Sequence, residues 1–509
     1  MSRTRNAGII AIFGYMQFAL AFISGIVLLP LILKKIGAET YGWWLACGEL
    51  LAYSAMVDFG VLGILPWSIA QRDGEKDREA IRRLIANGIL IASLTGLVYV
   101  LVAAMLWHFA SYVMGLGEAQ QALLFFPLVI VICCTGLSFP LRTFAAALQG
   151  MQDVVFLGIA GVIQWFLNVG VAIVLLFRGH GLYALAFALA VPPLVYSLMC
   201  LVRVWFIAPD LLRGWTRTKL SELYGLTRDG LGVWLGNIGW RMAAASNSLV
   251  IVAIIDPASA VVFACTVKMG EILMQMAWQL SDSGLIGLAQ LSGEANEVRV
   301  RATVQNLLRL LLIATGAVSL LVLMANPTFV RLWVGASKFG GYTLNAILVI
   351  NLLAISIVHG IFTTASVLGK RIEIGIAAFL QGLAAIGLAV LLGNYYGLGG
   401  VAAASVLGAF LVALPLGVRN LYRISGAGWS RLWNDVILPW TSKALSPFLV
   451  GTIVAAWISS RSSFLWIGLV PAVMALYLWQ MRPLFADLPL PTRIRPWLLR
   501  MRILPETGS

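Results

Sequence analysis

The sequence predicts an all-α polytopic membrane protein of about fourteen transmembrane helices, arranged as two parallel six-helix repeats plus two C-terminal helices. Three observations lead there. The 509-residue chain is 61% hydrophobic and only 11% charged, with a mean hydropathy of +0.93. Apolar runs of about twenty residues, each enough to cross a hydrocarbon core, follow one another along the chain. Polar and acidic residues recur inside those runs at an offset of 216–224 residues. In lipid the backbone must be satisfied within the chain, and the runs are too long for barrel strands, so the spans are helices.

In order, the spans fall near 7–33, 42–70, 84–107, 122–148, 154–177, 181–206, 229–255, 258–291, 304–326, 341–368, 372–394, 398–422, 437–459 and 464–482. The first follows Arg3 and Arg5 and is too long for a signal-peptide core, so it is expected to remain as an uncleaved span. With the N-terminus inside, inner segments together with the cytoplasmic span ends at Arg203, Arg419, Lys443 and Arg482 hold 25 Lys and Arg, outer loops hold 6, and Arg142, Arg241, Lys268 and Arg309 are the others within spans. This asymmetry places both termini in the cytoplasm. It also absorbs the net charge of +14, which then needs no nucleic acid.

The longest connection, 207–228, separates an N-terminal six-helix lobe (1–206) from a C-terminal one (229–423). Six is even, so both halves enter the membrane in the same direction, related by a pseudo-twofold along its normal. Two further helices occupy 424–484, and a basic cytoplasmic tail, 485–509, mixes Arg493, Arg495, Arg500 and Arg502 with Trp497. That mixture suits the surface of an anionic leaflet. The repeat pairs Gly48-Glu49 with Gly270-Glu271 and Asp58-Phe-Gly60-Val-Leu-Gly63 with Asp282-Ser-Gly284-Leu-Ile-Gly287. Gln164 and Gly170 return as Gln381 and Gly387, and Gly181-Leu182 as Gly397-Leu398.

A carboxylate inside a span is costly, and its usual place is a wet cavity with a task. On span eight, Lys268, Glu271, Gln275, Gln279 and Asp282 fall within an arc of about 80°. Such a stripe lines a cavity or forms an ion-paired seam, with Lys268 and Glu271 neutralising each other at i,i+3. On span seven, Asn237, Arg241 and Ser248 share a face, and Arg241 lies too deep to snorkel easily. Its planar fork suits a phosphate or diphosphate; a salt bridge to Glu271 or Asp58 is the alternative. Glu49 and Asp58, nine residues apart, point to opposite faces of a straight helix. With Glu271 and Asp282 they are the candidate ion carriers. Arg142, after Pro140 near the cytoplasmic end of span four, either meets an entering headgroup or snorkels. Gln164 and Asn168 share a face at i,i+4, where helix-to-helix hydrogen bonding is the simpler reading.

The five cysteines all lie in apolar runs with no C-x-x-C, and the three histidines are far apart, so no metal site is expected. No G-x-x-x-x-G-K-[ST] is present, so ATP hydrolysis at a P-loop is excluded. No soluble domain or large outer loop is long enough for a glycosyltransferase, polymerase or ligase site. The chain reads as a transporter, not an enzyme, with no cofactor.

The segment Leu29-Pro30, Ile36-Gly37-Ala38-Glu39-Thr40-Tyr41-Gly42-Trp43-Trp44, followed by Asp58-Phe59-Gly60, resembles the start of bacterial polysaccharide flippases of the Wzx type. These belong to the multidrug/oligosaccharidyl-lipid/polysaccharide exporter superfamily. Gly-Leu-Tyr-Ala-Leu-Ala at 181–186 and Gly-Leu-Gly-Gly-Val-Ala at 397–402 look like that family's sixth and twelfth spans. The resemblance implies alternating access by two lobes around a cationic cavity in the bacterial inner membrane. The substrate it implies is an undecaprenyl-diphosphate-linked oligosaccharide for surface polysaccharide such as O-antigen, and the partner it implies is the polysaccharide polymerase and assembly machinery. Fourteen spans suit this branch better than the twelve-helix drug antiporters. The lipid II flippase branch also has fourteen, but its Arg-rich first-span pattern is absent. A cation-coupled small-molecule exporter on the same scaffold is the alternative, with a membrane glycan polymerase or ligase further off.

Overall fold

The computed structural model describes residues 3–54, 61–74, 76–212, 231, 234–243, 247–282, 284–285, 288, 297–369, 371–460 and 466–486. Among them there is no strand. The helices are α1 (Arg3–Ile36), α2 (Ala38–Ser54), α3 (Val61–Gly74), α4 (Arg78–Val113), α5 (Glu118–Gly150), α6 (Val154–Phe177), α7 (Leu182–Ile207), α8 (234–243) and α9 (Asn247–Ile254). They continue with α10 (Pro257–Asp282), α11 (Glu297–Val334), α12 (Tyr342–Val367), α13 (Arg371–Gly408), α14 (Leu414–Ser425), α15 (Leu438–Ser460) and α16 (Trp466–Ala486). Among the described residues, nine helices are long and apolar enough to cross a membrane. One of them, Ile372–Ser425, holds two of the predicted spans. The predicted spans not among the nine coincide with α1, α2 with α3, α8 with α9, and α16. The chain is a multi-pass membrane protein.

The ends of these helices differ from the sequence reading. Span two, expected over 42–70, coincides with α2 and α3, and residues 55–60 between them lie outside the described set. α4 starts at Arg78, ahead of the predicted span, and its first turns carry an exposed Arg83–Glu79 pair at 2.9 Å.

Contacts divide the chain into two compact units, Met1–Ile238 with Val252–Ala258, and Gly239–Ile251 with Ser259–Ser509. In the N-terminal unit α5 packs along α4 and α7, and α6 packs along α1 and α7. The helices are amphipathic in the membrane sense. On α4, Leu94, Leu97, Leu101 and Met105 stand out at helical spacing, with Leu101 70% exposed, while Ile81, Ile85, Tyr99 and Ala103 are buried on the other side. An apolar stripe facing outward is stable only against lipid. Asn168 on α6 donates its side-chain N–H to the Ala188 carbonyl of α7 at 2.7 Å, the helix-to-helix bond expected of it.

In the C-terminal unit α11 is central, packed against α12, α15 and α16. Tyr477 of α16 is fully buried; its hydroxyl donates to the Ile313 carbonyl of α11 (2.9 Å) and accepts from Trp440 Nε1 (3.0 Å). These two bonds pin the last two helices to α11.

Two glycines paired in the sequence share a backbone conformation. Gly181, which begins α7, has φ 55° and ψ −129°. Its counterpart Gly397, which breaks α13, has φ 57° and ψ −140°. A side chain is strained in that region of φ/ψ space, so glycine is required at both turns.

Candidate functional site

The best-defined polar site lies in the C-terminal unit, on α8, α10 and α12. α10 presents its stripe openly: Glu271, Gln275 and Gln279 are exposed, and Lys268 and Asp282 partly so. A membrane helix keeps such a row only where water or a polar ligand reaches it. Lys268 and Glu271 do form the i,i+3 pair, but loosely, at 3.9 Å with side chains 40% and 48% exposed. The seam and the open stripe therefore coexist.

Asp282 meets a residue that sequence reasoning set aside. Both of its carboxylate oxygens lie 3.1 Å from His359 Nε2 on α12. A carboxylate only accepts hydrogen bonds, so Nε2 carries the proton of this pair. Lys268, the cation of the same stripe, is fourteen residues away along α10, about 21 Å at 1.5 Å per residue. The His359 ring stacks on Trp278, with centroids 4.1 Å apart and planes within 4°. Trp278 in turn meets the edge of Trp240 from α8 at 5.2 Å, and its indole N–H donates to Ser356 Oγ at 2.8 Å. Three helices thus build one wall: an acid, an imidazole and two indoles. Trp278 and Asp282 share a face at i,i+4, a signal legible in the sequence. His359 lies 77 residues from Asp282, and nothing local announces it.

α8 reaches this wall because of a glycine. A Cβ on Gly239 would overlap the backbone of Ala378, and one on Gly382 would lie 2.8 Å from the Gly239 carbonyl oxygen. Backbone-to-backbone approach of α8 and α13 sets Trp240 and Arg241 in place. Arg241 is partly buried and makes no ion pair or hydrogen bond with a described residue. Of the two bridges in its alternative reading, the one to Glu271 is not formed, and Asp58, the other partner, lies outside the described residues. Asn237, one turn earlier on α8, is exposed.

A narrow cavity of about 90 Å³ adjoins the wall, lined among others by Trp240, Asn247, Thr266, Glu271 and Asn351. That is room for about three waters. The buried side-chain carbonyl of Asn351 has no hydrogen-bond partner among the described residues. A carboxylate and amide oxygens are hard donors, and the set suits a proton, water or an alkali cation. Among the described residues no group of three or more His, Cys, Asp or Glu is placed to hold a metal ion.

The N-terminal unit holds the remaining candidates. Glu49 is partly buried on α2. Arg142 is partly buried on α5, its guanidinium 4.6 Å from the centre of the Phe139 ring. Asp58 lies outside the described residues, as do most of the 207–228 connection and nearly all of the 485–509 tail. Within the C-terminal unit the structure brings Lys268 to Glu271 and Asp282 to His359. It brings Arg241 to no acid among the described residues.

Solved structures share this arrangement of helices. The chain is similar to an inward-facing multidrug resistance MATE family transporter of the MOP superfamily, with TM-score 0.65, 17% identity, and coverage of 81% of this chain and 94% of that one. It is equally similar to the lipid II flippase MurJ in an inward closed conformation, with TM-score 0.65, 15% identity, and coverage of 94% and 99%. The chain has the fold of the MATE and MurJ transporters. An outward-facing MATE structure matches at TM-score 0.60 and 15% identity over 83% of this chain and 96% of that one. The chain matches no family model and no curated protein. The MurJ match spans more of this chain than either of the two MATE matches. At these identities the likeness establishes the fold, and the site must be read from its own residues.

Proposed function

We propose that this protein is a flippase that moves an undecaprenyl-diphosphate-linked oligosaccharide from the inner to the outer leaflet of the bacterial inner membrane by alternating access. The observation that carries the reading is Arg241: a permanently charged fork, deep in a span, with no neutralising acid among the described residues. A guanidinium in that position is costly, and a diphosphate ligand offsets the cost by accepting bidentate, charge-assisted hydrogen bonds. The open stripe of Lys268, Gln275 and Gln279 supplies polar contacts for a hydrated sugar, while the polyprenyl tail remains in lipid. Arg142 is proposed to meet the headgroup near its entry from the cytoplasm.

Similarity to the lipid II flippase over nearly the full length of both chains supports the reading. No P-loop is present, so direction comes from an ion gradient, the membrane potential or consumption of product. Asp282 with His359 is the proposed carrier, since it sets a carboxylate against an imidazole at the end of the open stripe on α10. Glu49, Asp58 and Glu271 remain candidate ion carriers. A cation-coupled exporter of small molecules is the second reading, favoured by the MATE likeness and by the aromatic wall of Trp240 and Trp278.

Reconstituted vesicles carrying fluorescent undecaprenyl-diphosphate oligosaccharide distinguish the two. The flippase changes the sidedness of the lipid without changing it covalently. Arg241→Ala abolishes this at normal protein abundance, and Arg241→Lys restores part of it, because an ammonium cannot form the fork. Undiminished flipping by Arg241→Ala, or flux of soluble cations without lipid movement, overturns the proposal. Lipid II in the same vesicles reports on the other branch.

A further inference from the structure

We propose a second ligand site: a cavity at the cytoplasmic end of the C-terminal lobe that holds the phosphate headgroup of an anionic phospholipid of the inner leaflet. It is independent of the transported substrate. The cavity is open, about 980 Å³, and is lined by Arg301, Arg419, Arg431, Phe410, Tyr422 and Trp429 with smaller residues between them. Its volume lies at the upper end of the range for small-molecule sites. Among the described residues the lining contains three guanidiniums and no carboxylate.

Its construction is specific. α14 ends at Gly426, whose φ of +67° makes a left-handed cap, with its N–H on the Tyr422 carbonyl at 2.9 Å. Arg301, from the first turns of α11, donates Nε–H to the Ser425 carbonyl at 2.8 Å. A Cβ at position 426 would stand 2.6 Å from Arg301 Nη2, so a glycine there lets the guanidinium lie against the turn. Arg431 reaches the same turn, Nη1 to the Gly426 carbonyl at 3.4 Å. Each of these arginines uses one nitrogen on the turn and keeps its other N–H groups for a ligand. Arg419 is exposed beside them and forms no ion pair with a described residue. A π-helical turn, Ala409–Ala413, borders the cavity through Phe410.

Orientation and surroundings identify the occupant. The cavity lies where spans eight and nine and spans twelve and thirteen connect, on the side that the Lys and Arg bias assigns to the cytoplasm. That leaflet is the anionic one. Tyr422 (59%), Trp429 (50%) and Phe410 (49%) are exposed, and amphipathic aromatics are at home at headgroup depth. Three cations with an aromatic rim match a phosphodiester that carries acyl chains; a free anion would leave the rim unused.

The test titrates the purified full-length protein in non-ionic detergent with phosphatidylglycerol, phosphatidylcholine or inorganic phosphate, and counts bound molecules by native mass spectrometry. Phosphatidylglycerol binds in preference to phosphatidylcholine. Arg419→Gln with Arg431→Gln, both at exposed positions, weakens it about fivefold for each arginine removed. Arg331→Gln, at the far end of α11, leaves it unchanged. Equal binding of the two lipids, or equal losses in the Arg331 and Arg419/Arg431 variants, refutes the site. Inorganic phosphate competing as well as the lipid assigns the cavity to a soluble anion and overturns the lipid proposal. The wild-type lipid preference stands as a measurement by itself if a variant fails to fold.

Discussion

The Asp282–His359 pair invites a double-mutant cycle. When His359 carries both ring protons, the two unit charges 3.1 Å apart attract by about 5 kcal/mol at an effective dielectric of 20. Asp282 and His359 side chains are 36% and 17% exposed, so solvent screens part of this. What remains is of the size of a charge-assisted hydrogen bond, about 1.5–3 kcal/mol. Asp282→Asn keeps the shape but removes the charge; His359→Gln keeps a donor but removes the ring that stacks on Trp278. If the pair acts as a unit, each single change costs most of the interaction and the double change little more. The expected coupling is about 1.5 kcal/mol, or roughly 1–3 °C in the thermal midpoint of detergent-solubilised protein of this size. In vesicles the same single variants should lose their response to an imposed proton gradient while retaining downhill lipid exchange. Additivity within about 0.5 kcal/mol, or a wild-type response to the gradient in both single variants, refutes the argument that these residues form the coupling site.

Other expectations follow from the same geometry. Tyr477→Phe removes one buried donor–acceptor and leaves the Trp440 indole N–H unpaired, at a cost of about 1–3 kcal/mol; limited proteolysis should then release α15 and α16 first. Gly181→Ala and Gly397→Ala force a side chain into the same strained backbone region, and each should lower the thermal midpoint by an amount corresponding to about 1–3 kcal/mol. Gly239→Leu should lower membrane abundance by prising α8 from α13, whereas Gly170→Leu, where a Cβ meets nothing within 4 Å, should not. Single cysteines at Glu75 and Ala295 in a cysteine-free chain should label only from the cytoplasm and one at Ala258 only from outside; outside labelling at 75 overturns the orientation.

The sequence alone determined the fold class and the order of the apolar spans. Lipid imposes its constraints on every stretch of chain independently: an apolar length of about twenty residues and a backbone satisfied within the helix. The glycine pair 181 and 397 was visible as a repeated letter, and the structure showed why it repeats, with near-identical dihedrals. The stripe on α10 was equally legible, because helical periodicity fixes which side chains share a face. Only tertiary structure decided what those side chains meet. Asp282 found His359 across 77 residues, Arg241 found no acid among the described residues, and Arg301 closed on a turn 124 residues away. Partner choice across helices depends on which backbones approach closely, as at Gly239 and Gly382, and that approach is a property of packed surfaces rather than of any local run of residues.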